Sequence, residues 1–231
     1  MIFSRCCDFV IDLIFPIRCV SCRREGEWFC SSCAAKVSLN QKQFCPVCWN
    51  FNLGGKVCEN CKTKTPLAGL RVAASYAENP TLASAVKTLK YKFSKLLARN
   101  LAGILTRAIT QKDYAEERII TAIPLHAKRL RYRGFNQAEL LAREVSQNLQ
   151  LPYENLLIRN RNTLQQAKLS REKRLQNLRD AFSLASPISL QNKTVILVDD
   201  IASTATTLSE AAKVLRAAGA KEVWGLVIAR G

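Results

Sequence analysis

The chain has 231 residues, 48% of them hydrophobic and 23% charged, which is enough apolar material for one or two globular domains with an ordinary core. Its 35 Lys and Arg against 18 Asp and Glu leave a net charge of +17. That excess repels itself unless spread out or matched by an anion, so nucleic acid, nucleotides and acidic lipid fit the sign, while no apolar run is long enough to span a bilayer as a helix.

In the opening stretch, MIFSRCCDFVIDLIFPIRC, the spacing of Phe3, Val10 and Ile14 predicts a short amphipathic helix stopped at Pro16. Asp8 and Asp12, with no small-residue cleavage site, make it a poor signal peptide. Packing on its own domain is the expectation, and transient contact with a membrane or a membrane-bound partner is the alternative.

All ten cysteines lie in the first 61 residues. Eight form four C-x-x-C units: Cys19/Cys22, Cys30/Cys33, Cys45/Cys48 and Cys58/Cys61. Two thiolates at this spacing in a tight turn grip one tetrahedral ion, so four pairs supply two closed four-sulfur sites, and zinc held there is structural, with no open coordination position. Disulfides compete with this reading, but nothing in the sequence points to export, and a reducing compartment keeps thiols free. The spacing allows sequential pairing or an interleaved cross-brace. Cys6 and Cys7 have no C-x-x-C partner and are expected to be packed or free.

After Pro66 the cysteines stop, which divides the chain into residues 1–65, a helix and double zinc ribbon, and residues 66–231, an α/β domain. Strands are expected at Val72–Tyr76, Arg118–Ile123, Thr194–Val198 and Val223–Ala229. Helices are expected at Thr81–Tyr91, Ser94–Ile109, Phe135–Leu149 (starting near Gly134 or Asn136) and Thr206–Ala218, the last ended by Gly219. Strands alternating with helices predict a mostly parallel sheet covered on both faces.

The sequence VILVDDIASTATT, residues 195–207, then falls at the carboxyl end of a central strand, where open α/β sheets bind ligands. The hydroxyls of Ser203, Thr204, Thr206 and Thr207, with the N–H groups of a helix N-terminus, make a phosphate cradle. Asp199 and Asp200 would repel that phosphate, but carboxylates accept hydrogen bonds from vicinal hydroxyls; a sugar phosphate satisfies both halves. The simpler alternative is Asp200 or Ser203 as a helix N-cap.

This stretch resembles the phosphoribosyl pyrophosphate (PRPP) signature of type I phosphoribosyltransferases. Four N-terminal cysteine pairs followed by it resemble the competence protein F (ComF) family over nearly the whole chain. IPLHAKRLRYRGFNQAELLA, residues 123–142, is similar to that family's R-x-R-G-F-N-Q segment, matched by Arg131, Arg133, Gly134, Phe135, Asn136 and Gln137; Gln166, Arg174, Asn177 and Phe182 match its other spaced positions. The chain departs from the pattern at Ala205, where the family usually has glycine, and at Ser203, where threonine is more usual. Alanine takes positive φ less readily than glycine, which implies a weaker phosphate site or a shifted loop.

The resemblance implies a fold of the type I phosphoribosyltransferase kind and magnesium-bound PRPP across the sheet end. Asp199 and Asp200 take the ribose hydroxyls, and Ser203, Thr204, Ala205, Thr206 and Thr207 take the 5′-phosphate. The loop after Ile123, with Lys128, Arg129, Arg131 and Arg133, meets the pyrophosphate or another anion. His126, the one histidine, is expected to be structural or solvated. The function implied is cytosolic handling of single-stranded DNA during natural transformation, peripheral to the membrane and beside the DNA-uptake machinery at its inner face. The alternatives are an active phosphoribosyltransferase and a zinc-ribbon interaction protein on a non-catalytic scaffold. Basic residues concentrate at Lys87–Lys95, Lys128–Arg133 and Arg159–Arg174, with Tyr91, Phe93, Tyr132 and Phe135 among the first two; Lys87, Lys90, Lys92, Arg131, Arg133 and Arg174 are the expected nucleic-acid contacts.

Overall fold

The computed structural model describes residues 16–91, 95–109, 117–162 and 177–230. The expected N-terminal helix, with Cys6 and Cys7, lies outside them, as do Gln166 and Arg174. Four parallel strands form one sheet in the order β1 (Gly69–Ala74), β6 (Glu222–Arg230), β5 (Thr194–Ala202), β2 (Arg118–Ala122). The central strands β5 and β6 are nearly continuous runs of buried residues, as strands covered on both faces must be.

Side-chain alternation sends each strand into two cores. Ile196 and Val198 of β5, with Leu226 and Ile228 of β6, pack under α2 (Pro80–Tyr91), α3 (Lys95–Arg107) and α5 (Gln137–Leu149). Val195 and Leu197, with Val223 and Val227, pack under α6 (Thr206–Ala217) and the antiparallel pair β3 (Leu157–Arg159) and β4 (Phe182–Leu184). At Gly225 a Cβ would lie 2.7 Å from a Leu70 methyl and 3.0 Å from a Leu208 methyl, so the missing side chain is what lets α6 approach.

The cysteine-rich segment completes both cores. Cys19, Phe29, Cys30 and Val37 join the first and Cys45, Val57 and Cys61 the second. Its short helix α1 (Ser31–Ala35) is tied to α3: Arg107 donates to the carbonyls of Ala34 (3.0 Å) and Val37 (2.8 Å), and Asn100 to that of Phe29 (2.6 Å). The same segment covers β1, an edge strand. Gln43 Nε2 donates to Val72 O and Gln43 Oε1 accepts from Val72 N, both at 3.1 Å, and Asn40 N donates to Ala73 O. The opposite edge is closed by residues 152–154, where Ile120 N donates to Pro152 O and Glu154 N to Ile120 O. Neither edge is left as a bare ladder.

The alternating helix–strand pattern and the parallel sheet follow the sequence expectation, with four shifts. β1 runs Gly69–Ala74 instead of 72–76, because the Trp224 ring lies where a Cβ on residue 69 would be, so a weak strand former is required there. β5 continues through the acidic pair to Ala202, paired with β6 as far as Ala202↔Arg230, so Asp199 and Asp200 belong to the strand end and not to the turn. The basic segment after Ile123 is a helix, α4 (Ala127–Arg133), not a loop. β3 and β4 were not expected: three residues are too few for a period to show.

Candidate functional site

Two groups of four thiols close in sequential order, Cys19, Cys22, Cys30, Cys33 and Cys45, Cys48, Cys58, Cys61, with the sulfurs of each group within 4.8 Å of one another. This resolves the pairing left open by spacing. Cys22 and Cys30 stand 3.7 Å apart, as do Cys48 and Cys58, far beyond the ~2.05 Å of a disulfide. A tetrahedron with metal–sulfur bonds of about 2.3 Å has edges of about 3.8 Å, so the residues fit zinc, and the eight cysteines would hold two structural ions. The thiols are already poised unequally. Burial raises Cys19, but N–H donors of Cys22, Cys30 and Ser21 outweigh it and hold that thiol at about 6. Ser21 acts to lower Cys33, yet burial and the neighbouring thiols drive it to about 12. Four negative charges cannot share such a space without a cation.

At the carboxyl end of the sheet, β5 delivers Asp199 into a small hollow shared with residues 201–208, with Asp200 next to it on the strand. Asp199 Oδ1 accepts from Asp200 N and Asp200 Oδ1 from Ile201 N, each at 2.8 Å, which fixes the carboxylates against their own strand. Asp200 is buried, Asp199 half-buried. The N-cap of α6 is Ala205, left-handed at φ 54° and making no side-chain cap hydrogen bond. The N-cap position therefore falls on neither Asp200 nor Ser203, the two residues the sequence offered for it. Thr204 and Thr206 hydroxyls lie 2.8 Å apart over the first turn, with Ser203 and Thr207 at the rim, half-buried. The helix N-terminus, paired hydroxyls and the Asp199 carboxylate thus share one concavity.

The basic side of the site comes from α4. His126 is its N-cap, Nδ1 accepting from Lys128 N at 3.2 Å, which gives the histidine a structural role. Gly134 (φ 82°) ends the helix, its N–H bonded to Leu130 O. Asn136 ties the segment to the sheet: its side chain donates to Ile123 O at 3.0 Å and accepts from Ala138 N at 3.1 Å. Phe135 is buried, and Arg133 donates to Gln137 Oε1 at 2.6 Å. The R-G-F-N-Q run is thus largely the clamp that holds α4. Arg129 and Arg133 are half-buried, while Lys128 and Arg131 are exposed.

Two residues absent from the sequence-based site join it. Arg159, at the end of β3, is pulled down to about 10 by burial and then by Arg129, with Asp199 acting in the opposite sense, so both residues lie within electrostatic reach of it; its guanidinium lies 5.5 Å from the Phe182 ring centre. Tyr76, just after β1, has its phenol pushed above the usual range by burial and by Asp200. Arg159 opens the basic stretch 159–174, which the sequence offers to nucleic acid and not to this hollow, and a tyrosine in a turn carries no sequence signal of a site. Among the expected nucleic-acid contacts, Lys87 is exposed on α2. Lys92, Phe93 and Arg174 lie outside the described residues, as do the side chains of Lys90 and Tyr91. Among the described residues no helix is long and apolar enough to cross a membrane.

Comparison with known proteins matches both halves. The double zinc ribbon domain model matches residues 10–62 and the phosphoribosyl transferase domain model residues 135–230. Competence protein F of Haemophilus influenzae is 32% identical over 225 residues, 92% of this chain and 97% of that protein. DNA utilization protein YhgH of Escherichia coli K12 is 30% identical over 227 residues, covering 93% and 98%. Competence protein ComFC of Streptococcus pneumoniae is 28% identical over 202 residues, 87% of each.

Proposed function

The chain belongs to the competence protein F (ComF) family, and from that premise we propose that it handles single-stranded DNA during DNA uptake and binds a ribose phosphate, with magnesium-bound PRPP as the reference ligand, at the carboxyl end of its sheet. The carrying observation is the pairing of a helix N-terminus, with alanine at its N-cap, and the carboxylate of Asp199 in one hollow, with Asp200 adjacent on the strand. The first is suited to a 5′-phosphate and the second to the ribose 2′ and 3′ hydroxyls. Ser203, Thr204, Thr206 and Thr207 supply hydroxyls to the phosphate, and the α4 guanidiniums offer delocalised charge to a diphosphate. Magnesium, when bound with PRPP, neutralises the diphosphate oxygens; the residues described here orient the sugar and hold the phosphate.

The working location is the cytoplasm, against the inner membrane face where imported single strands arrive. The charge of +17 favours a polyanion, and counterion release makes such binding salt-dependent. Fluorescence anisotropy with a labelled 30-mer tests this reading: single strand should bind better than duplex, with little sequence preference. Affinity should fall by roughly 0.7 log unit per log unit of salt for each phosphate contacted. Equal affinity for both forms, or no salt dependence, contradicts it. Pyrophosphate released from PRPP on addition of a nucleobase would assign the chain to catalysis instead.

A further inference from the structure

We propose that α4 is two-sided: one stripe serves the anion site, while the other, with Tyr132 as an aromatic platform, stacks an unpaired base of a single strand whose phosphates lie along Lys128 and Arg131. The inference deepens the proposed DNA function and rests on it. The sequence of α4, AKRLRYR, holds four cations and no acid. Helical spacing sorts them. Arg129 and Arg133, four apart, are half-buried; Lys128, Arg131 and Tyr132, at i, i+3 and i+4, form the exposed stripe.

Tyr132 is 96% exposed, against 64% for Phe51 and 40% for Leu130. A tyrosine left in water forgoes the burial that aromatic rings usually gain, and this one protrudes between cations and not from a packed surface. Its mount is fixed at both ends, by the His126 cap and by the Gly134 and Asn136 bonds. An unpaired base therefore meets a preorganised ring and loses little freedom to α4 itself. A duplex hides its base faces, so the platform selects single strands. The position also suits a nucleotide chain, because Arg129 on the inner stripe and Asp199 on β5 both act on Arg159. Arg159 thus links the inner stripe of α4 to Asp199, which lines the ribose-phosphate hollow.

The test uses the full zinc-loaded chain, an oligonucleotide carrying 2-aminopurine, and salt titrations. Stacking on an aromatic is worth about 1–3 kcal/mol per base, so Tyr132→Ala should weaken single-strand binding by about 5- to 150-fold and lessen 2-aminopurine quenching, with salt slope and melting temperature unchanged. Tyr132→Phe should retain both affinity and quenching. Lys128→Ala with Arg131→Ala should reduce the salt slope by about 1.4, twice 0.7, and leave quenching per bound strand in place. Tyr132→Ala should leave magnesium–PRPP binding unaltered in calorimetry. If wild type binds single strands with a salt slope but Tyr132→Ala binds equally well, the platform is wrong and the DNA reading stands. If wild type binds no single strand, both fall.

Discussion

Replacing Ala205 by glycine separates strain from binding in the phosphate loop. The left-handed backbone at φ 54°, ψ 9° costs a non-glycine residue about 1–2 kcal/mol, which glycine removes. Against that, glycine raises the entropy of the unfolded chain by about 0.4–1 kcal/mol, and the lost methyl, buried in the second core, gives up about 0.8 kcal/mol. The three contributions nearly cancel, so stability should change by less than about 1 kcal/mol, a melting shift within about 4 °C for a chain of this size. Affinity should respond more. A backbone freed to bring one further N–H onto a phosphate contributes about 1.5 kcal/mol, roughly tenfold. Differential scanning calorimetry gives the first quantity and isothermal titration with magnesium–PRPP the second. Destabilisation beyond 2 kcal/mol (roughly 4–8 °C) would refute the strain argument; weaker PRPP binding in a stable variant would show a loop adapted to alanine.

Other consequences follow from the same geometry. Asp199→Asn with Asp200→Asn keeps an oxygen for the Asp200 and Ile201 N–H groups but removes the charged acceptors for ribose hydroxyls. Magnesium–PRPP affinity should drop at least tenfold while the melting temperature holds, and unaltered affinity would give the pair another job. Metal analysis should find two zinc ions per chain. Cys45→Ser or chelation should cost solubility, because the segment that covers Val72 and Ala73 on the β1 edge loses its anchor; intact disulfides without metal would reject this. Metal binding needs thiolates, so zinc loss should begin on acidification and never on moderate rise of pH. Arg107→Ala removes both bonds to the Ala34 and Val37 carbonyls, which should destabilise by about 1–3 kcal/mol. It should also speed zinc loss from the first site selectively; equal rates at the two sites would show that α3 does not brace the ribbon.

The most legible features in the sequence were those with a fixed chemical spacing. Four C-x-x-C pairs announced two metal sites because a tetrahedral ion admits few loop lengths. Pairing order was not legible, since either order uses the same turns. VILVDDIASTATT marked the strand, the acidic pair and the hydroxyl-rich turn before α6, and Ala205 stood out as a departure whose left-handed backbone the structure shows. What escaped had tertiary causes. Gly69 entered a strand because Trp224 needs its space. The basic segment after Ile123 became a helix through a histidine cap and a left-handed Gly134. Arg159 reached the site because β3 and β4 pair across residues 160–181, a contact that no local period encodes.

A ribose-phosphate site and a single-strand surface on one ComF chain can be probed together in a single titration. Zinc-loaded protein is titrated calorimetrically with magnesium–PRPP, then again after saturation with a 30-mer single strand. One PRPP site per chain is expected, its heat lost in the Asp199→Asn, Asp200→Asn variant, with a changed PRPP affinity in the presence of DNA, because Arg159 links α4 to Asp199 at the hollow. No PRPP heat in wild type, or PRPP heat that persists in the double variant, would contradict it.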